Sequence, residues 1–589
     1  MGRSWGSLFW LITSITISCI ASSLQDSCRE ENRRSLNLFR ADRSPDSDQP
    51  YRTRFHFQPP ENWLNDPNGP MYYKGVYHLF YQYNPSGPLF GDVMIWAHSV
   101  SYDLINWIQL EHALYPSDSF DINSCWSGSA TILPGGKPVI MYTGIDSGNH
   151  QVTNIAEPKN ISDPLLREWV KFEGNPVMVP PVNVRVDGFR DPTTAWQGQD
   201  GRWRVIVGAE AVNSTKGMAL LYRSDDFIRW TKFPDPLFES EVTGMWECPD
   251  FYPVSVNGTN GVDTSVNNAH VKHVLKAGYG EHDFYVIGTY FPETEKFVTD
   301  SDFTNTVSDL RYDHGKFYAS KTFFDSAKNR RILWGWVNES DSKEDDLHKG
   351  WSGLQSVPRK IWLDQTGKRL VQWPVDELVN LRGNRVAVHG EKLEGGSVLE
   401  IPGITASQAD VEVVFELPDL GDAAEYLEEN QVDPQELCDR YRASSKGIFG
   451  PFGVLALASD DLSERTAIFF RVFRRADGYS TLMCSDHSRS SLRHHLDKAT
   501  FGTFLDIDPR YENISLRCLI DRSVIESYGG GGRSVITSRV YPKLAIGEEA
   551  HLYVFNNGTK SVVPSSLEAW SVQNAQINSI EFVAEFLNM

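Results

Sequence analysis

Three stretches of this chain set a carboxylate close to a proline and to an aromatic or basic side chain: Glu61–Pro70 (ENWLNDPNGP), Phe189–Pro192 (FRDP) and Met245–Asp250 (MWECPD). Proline pushes the residue before it out of the helical region, and Pro67-Asn68-Gly69 is turn chemistry, so Asp66 is expected to end a strand with its backbone extended. One such acid would be an ordinary solvated turn. Three of them, Asp66, Asp191 and Glu247, point to carboxylates gathered from distant parts of the chain. Two carboxyls facing one bond, one ionised and one protonated, are what glycoside hydrolysis requires: the first attacks or stabilises an oxocarbenium-like carbon, and the second protonates the departing oxygen. Arg190 adds a planar donor fork for a carboxylate or for several sugar hydroxyls. Trp63, Trp96, Trp126 and Trp246 offer apolar faces for a sugar ring, and Asn65, Gln82 and Ser127 offer hydrogen-bond partners.

Acids so far apart meet only if the fold returns them to one place. Five apolar runs of strand length recur, VYHLFYQYN (76–84), KPVIMYTGI (137–145), RWRVIVGAE (202–210), DFYVIGTYF (283–291) and RRILWGWVN (330–338). A second phrase interleaves with them, Ser101–Trp107, Ser162–Trp169 and Ser224–Trp230, its tryptophans about 60 residues apart. A period of that size built from strands marks a propeller with one blade per repeat. The expectation is therefore an all-β chain with a five-bladed β-propeller over 50–374, whose inner strands converge on a central channel. Residues 375–395 are charged and mixed in pattern and read as a linker. Over 396–589, strand-like runs such as ADVEVVFEL, TAIFFRVF and ISLRCLIDRSVIESYGG alternate with turn signals, which suggests a β-sandwich. Its Asp521 and Glu526 are expected to support the structure rather than to catalyse.

The N-terminus reads as a secretory signal peptide over 1–23: Arg3, a short apolar run from Leu8 to Ile20, then small residues. A polar, aperiodic leader or propeptide follows over 24–49. Six Asn-x-Ser/Thr sites, at Asn160, Asn213, Asn257, Asn338, Asn513 and Asn557, fit a secretory route. A formal charge of -21 and a pI near 5.2 argue against nucleic acid as a partner, and no other stretch has the length and apolarity to cross a membrane. Five cysteines remain after the leader, none at metal-ligand spacing, so no metal site is read. Pairing does not follow from sequence alone; one disulfide, Cys438–Cys484, is expected, with at least one thiol left free. No cofactor is implied, and a monomer is the expected state.

The motifs WLNDPNGP, FRDP and WECPD resemble the three signatures of glycoside hydrolase family thirty-two, the β-fructofuranosidases, and HFQPPENWLNDPNGPMYY, WSGSAT, SVPRKIWLD, QWP and SRVYPKLAIG resemble its plant cell-wall invertase and fructan exohydrolase branch. The likeness runs from about Tyr51 to the C-terminus. It implies a five-bladed propeller joined to a β-sandwich and a retaining double displacement. Asp66 would be the nucleophile, Glu247 the acid and then the base, and Asp191 a stabiliser of the transition state through fructosyl hydroxyls. Fructan or sucrose is the implied substrate, and vacuole or apoplast the implied destination.

Two departures from the invertase pattern bear on substrate. Where invertases of this branch show Trp-Gly-Asn, this chain has Phe90-Gly91-Asp92, and Phe90 joins the expected substrate-binding set. Where they carry an Asp and a Lys for the glucose half of sucrose, Lys276–His282 is shorter and offers neither in register. Lost donors to glucosyl hydroxyls weaken sucrose in particular, because polar contacts discriminate more sharply than apolar ones. The preferred expectation is release of terminal fructose from β-2,1 or β-2,6 fructans, with an invertase as the alternative. A non-catalytic sugar-binding relative is disfavoured because all three acids are present, and transfer to a sugar acceptor stays open.

Overall fold

The computed structural model describes residues 49–578, apart from 302–309, 418–419, 421–423, 429–431 and 477. The expected signal peptide, all of the leader but Gln49, and the last residues of the expected sandwich lie outside the described residues. Five sheets occupy residues 62–374, and two more, of six and seven strands, follow. The architecture is a five-bladed β-propeller with a β-sandwich after it.

The innermost strands of the blades are Asn62–Tyr73, Ser124–Leu133, the interrupted pair Val184–Arg190 and Trp196–Gln197, Glu247–Ser255, and Tyr318–Asp325. Each is followed outward by antiparallel neighbours. The repeated apolar phrase is the second strand of blades one, two, three and five; in blade four it is the third (His282–Phe291), because Val271–Tyr279 comes first. The interleaved phrase is a turn. In blade one Ser101 Oγ accepts the N–H of Leu104 at 2.8 Å, Asp103 Oδ1 accepts those of Ile105 and Asn106, and Trp107 Nε1 donates to the Leu104 carbonyl at 3.0 Å. Blade three repeats every one of these bonds with Ser224, Asp226, Phe227 and Trp230. The sequence period is thus a period of hydrogen bonding.

Asp66 does not end a strand. Asn62–Tyr73 runs straight through Pro67-Asn68-Gly69, with breaks of register between Leu64 and Pro67 and between Asn68 and Met71, and the reversal comes later, at Lys74-Gly75. Proline and glycine here serve bulges rather than a turn. Gly69 has φ +43°, and a Cβ on it would lie 3.2 Å from the Ala130 nitrogen of the next blade.

The stretch expected as a linker, 375–395, also differs. It holds a 3-10 turn (Asp376–Leu381) and a strand, Arg382–Val388, that pairs with Val563–Val572 at the edge of a sandwich sheet. Charged, exposed side chains are the usual protection of an edge strand, and they hide its alternation. The sandwich encloses an apolar core that includes Val411, Phe452, Phe470 and Ile520. The run ISLRCLIDRSVIESYGG is two strands folded back at Arg522, φ +57°. Cys438 and Cys484 form a disulfide, and Cys125, Cys248 and Cys518 are free and buried.

Asp521 and Glu526 tie the sandwich to the propeller. Asp521 accepts the N–H groups of Arg54, Phe55 and His56, and the fully buried His56 ring bridges Asp521 and Glu526 at 2.9 and 3.1 Å. Glu526 also holds Arg359 at 2.8 Å and accepts the Tyr528 hydroxyl. Burial by itself would lower the His56 pKa, but hydrogen bonds to the two carboxylates outweigh it and leave it raised. Glu526, which burial would raise, is drawn down to about 2 by Arg359 and His56. Among the sequon asparagines Asn160, Asn213, Asn257 and Asn513 are exposed, and Asn338 and Asn557 are half-buried. Among the described residues no helix is long and apolar enough to cross a membrane.

Candidate active site

The inner strands of all five blades bring side chains to one cavity of about 230 Å³. Blade one supplies Trp63, Asn65 and Asp66, with Gln82 and Phe90 from the chain just after; blade two supplies Trp126 and Ser127; blade three supplies Arg190 and Asp191; blade four supplies Glu247. Apart from Trp96 and Trp246, every residue expected to catalyse or to bind substrate lines this cavity.

Asp66 is held on both oxygens. Asn65 Nδ2 donates to Oδ1 at 2.9 Å, itself oriented by Trp63 Nε1 at 2.8 Å, while Ser127 Oγ donates to Oδ2 at 2.6 Å and Cys248 Sγ lies 3.3 Å away. Burial pushes the Asp66 carboxyl up to about 6, with the charges of Asp191 and Glu247 adding to it, while the Ser127 and Cys248 bonds pull the other way. Asp191 follows its strand in the left-handed region, φ +63°. Its N–H donates to Thr143 Oγ1, and its Oδ2 accepts the Cys248 N–H at 2.8 Å. Burial raises Asp191 as well, against the pull of Arg190 and the Cys248 bond.

Glu247 opens the inner strand of blade four and remains about one-third exposed. Arg190 Nη2 donates to its Oε1 and the Tyr318 hydroxyl to its Oε2, both at 2.6 Å. Gln151 Oε1 accepts from Arg190 at 3.2 Å and so fixes the guanidinium, which also lies over the Trp126 ring. Asp191 and Glu247 both flank the Arg190 guanidinium and their charges also raise Asp66, so the three carboxyls are coupled, a setting that favours keeping one proton in the cluster. That proton is what a departing oxygen needs.

Tyr318, Ala319, Trp336 and Cys248 also line the cavity and were not anticipated. Tyr318 begins the inner strand of blade five, the one blade from which the sequence reading drew no site residue. Its ring packs where a Cβ on Gly278 would approach within 3.1 Å, and no proline or turn flags it. Two expected sugar platforms fail. Trp96 is fully buried, its Nε1 donating to the Trp126 carbonyl, and Trp246 is buried against Phe238. The aromatic rim is instead Trp63, set edge-on to both Phe90 and Trp336, with Phe90 itself 56% exposed.

Comparison with known proteins bears on the family and the fold. The chain matches the glycosyl hydrolases family 32 N-terminal domain over residues 56–374 and the family 32 C-terminal domain over 377–571. It is 66% identical to an insoluble β-fructofuranosidase isoenzyme of Arabidopsis thaliana, covering 90% of this chain and 96% of that one. It is 53% identical to a fructan 6-exohydrolase of Beta vulgaris, covering 90% and 88%. The crystal structure of fructan 1-exohydrolase IIa from Cichorium intybus superposes with a TM-score of 0.89 at 58% identity, covering 90% of this chain and 99% of that one, and a variant of that enzyme has been solved in complex with 1-kestose. The carboxyl cluster sits at the centre of a propeller that these relatives share, and the chain belongs to glycosyl hydrolase family 32.

Proposed function

We propose that this protein is a fructan exohydrolase that releases terminal fructose by a retaining double displacement. Asp66, ionised, attacks the anomeric carbon of the terminal fructosyl unit while Glu247 gives its proton to the departing glycosidic oxygen. The fructosyl group is then an ester on Asp66. Glu247, now a carboxylate, takes a proton from a water molecule that attacks the same carbon, and fructose leaves with Asp66 restored. Asp191, anchored by the Cys248 N–H, accepts from fructosyl hydroxyls. Ser127 and Asn65 hold the nucleophile in line.

The observation that carries the preference for fructans over sucrose is the hairpin beside Glu247, whose cross-strand partner is Gly278. The strands Val271–Tyr279 and His282–Phe291 are joined by only Gly280-Glu281, both at positive φ, with Tyr279 paired to His282. This is a tight two-residue hairpin, which leaves no room for the Asp and Lys that resembling invertases present to glucose. Phe90, with no polar atom on its ring, fills the place of their tryptophan. The cavity lies below the roughly 300–1,000 Å³ of sites for drug-sized ligands, which suits capture of one terminal sugar. The fructan exohydrolases among the relatives support the same reading. The expected state is a monomer, and the name of the Arabidopsis relative as an insoluble isoenzyme supports secretion to the apoplast.

The test is an initial-rate comparison of the purified protein on sucrose, a short inulin and a levan at mildly acid pH, with fructose and glucose counted separately. Fructose release from one fructan with sucrose nearly inert is expected. Rapid, equal release of glucose and fructose from sucrose would overturn the assignment in favour of an invertase.

A further inference from the structure

We propose that Lys276 and Asp283, a fully buried ion pair on adjacent strands of blade four, are positioning residues that set the geometry of Glu247 and Tyr318. The proposal rests on the reading of Glu247 as acid and base.

Glu247 and Tyr318 begin the inner strands of neighbouring blades. Each is followed by a non-glycine residue in the left-handed region, Cys248 at φ +44° and Ala319 at φ +53°. Such conformations persist only where the surroundings over-determine them. Here the surroundings are one ammonium and one carboxylate. Lys276 Nζ donates to the Cys248 carbonyl at 2.7 Å and lies 3.3 Å from Asp283 Oδ1. The second Asp283 oxygen accepts the Ser320 N–H at 2.8 Å. A single buried pair therefore pins the residue just after Glu247 and the residue two beyond Tyr318.

The pinned Cys248 peptide also reaches the other two acids, through its N–H to Asp191 and its thiol to Asp66. A second tier continues the stitching: Lys321 Nζ donates to the Pro249 carbonyl at 3.0 Å, and Asp250 Oδ2 accepts both the N–H and the hydroxyl of Thr322. Both side chains of the Lys276–Asp283 pair have no exposed surface. A buried ion pair is weak evidence of stability, since well-packed apolar residues often serve the fold as well. An apolar pair could fill the space, but it could hold neither the Cys248 carbonyl nor the Ser320 amide. What the pair supplies is the placement of the proton donor and its hydroxyl partner.

A general acid matters most when the leaving group is poor, and that is how the proposal is tested. The probes are 1-kestose, whose leaving oxygen needs a proton, and an aryl β-fructofuranoside, whose leaving group does not. For both, kcat/KM reports formation of the fructosyl-enzyme. The variant is Lys276→Met with Asp283→Asn, which strands no charge. It is expected to lose about 10–100-fold on 1-kestose, part of the contribution of a general acid, with KM changed by less than about threefold and the aryl substrate nearly unaffected. Lys276→Arg, which keeps the cation, is expected to recover much of the loss. Equal losses on the two substrates, or none, would overturn the proposal by showing that the pair only stabilises the fold or does nothing. If the double variant does not fold, Lys276→Gln with Asp283→Asn, which strands no charge and whose amide nitrogen ends one bond short of the place of the ammonium, is compared in the same assay: more than about threefold separation of the two substrates supports the proposal, and none overturns it. Glu247→Gln runs alongside. If it handles both substrates at near-normal rates, the reading of Glu247 fails; if it separates them and the Lys276 variants do not, only the present proposal fails.

Discussion

The Tyr318 hydroxyl donates to Glu247 Oε2 at 2.6 Å across the boundary between blades four and five. With Arg190 on the other oxygen, the carboxyl is fixed in plane and aimed into the cavity. Tyr318→Phe removes one of these donors without emptying any volume. It is expected to lower kcat on a fructan by about 10-fold or more while the thermal midpoint stays within a degree or two of the parent. Steady-state kinetics with a melting curve checks this, and an unchanged kcat would remove Tyr318 from the machinery.

Ser127 holds Asp66, the proposed nucleophile, through its 2.6 Å bond to Oδ2. That bond lowers the Asp66 pKa, which burial has pushed up to about 6. The reactive form is the ionised one, so it builds up as pH rises through that value and is lost below it. Ser127→Ala raises the Asp66 pKa further. The acid limb of kcat/KM is expected to move to higher pH by about half a unit to one unit, where one unit corresponds to about 1.4 kcal/mol. A limb that stays in place would show that another group governs it.

The Gly280-Glu281 hairpin predicts substrate range. Lengthening it to carry an Asp and a Lys, as in resembling invertases, is expected to raise kcat/KM for sucrose by about 10-fold or more and to leave release of fructose from a fructan within about threefold. Parallel rate measurements on the two substrates decide it, and sucrose rates that do not respond would place the discrimination elsewhere on the rim.

The His56, Glu526 and Arg359 cluster predicts how stability depends on pH. His56 has a raised pKa, so its contribution is complete below its ordinary value of 6.5 and is lost as pH rises through the folded value. Glu526, drawn to about 2 from 4.5, contributes fully above 4.5 and loses its contribution as pH falls through about 2. Denaturant midpoints are expected to peak in mild acid and to decline on the alkaline side. His56→Gln is expected to flatten the alkaline decline. Glu526→Gln, which leaves Arg359 with Asp313 as its remaining buried carboxylate partner at 3.0 Å, is expected to cost about 1.5–3 kcal/mol at any pH between.

The Cys438–Cys484 bridge closes a loop with a sequence separation of 46 in the sandwich, away from the cavity. Replacing both cysteines by serine is expected to cost about 2–4 kcal/mol of stability and to leave kcat on a fructan unchanged at moderate temperature. Calorimetry and an activity assay on the same sample test both halves.

The parts legible from sequence were those with local causes. The propeller repeat could be read because the turn built by Ser101, Asp103 and Trp107 uses the same side-chain hydrogen bonds as the one built by Ser224, Asp226 and Trp230. The three acids could be read because each lies one or two residues before a proline in a bulge or strand break. Tyr318 had no such marker, since its role comes from the packing of one blade on the next. Arg382–Val388 was missed because an edge strand is protected by charge, and Trp246 was misplaced because an aromatic residue next to an acid says nothing about which way its ring faces. Asp66 was put at a strand end because Pro67-Asn68-Gly69 reads the same in a bulge as in a turn.

The central claim is that Asp66 is the nucleophile. It is tested most directly by mixing the Glu247→Ala variant with an aryl β-fructofuranoside at mildly acid pH, quenching rapidly, and sequencing the peptides by mass spectrometry. In that variant the covalent intermediate forms from the activated substrate and lacks the base that would clear it. A fructosyl ester on Asp66 is the predicted result; an adduct on Asp191, or substrate turned over with no adduct at all, would contradict it.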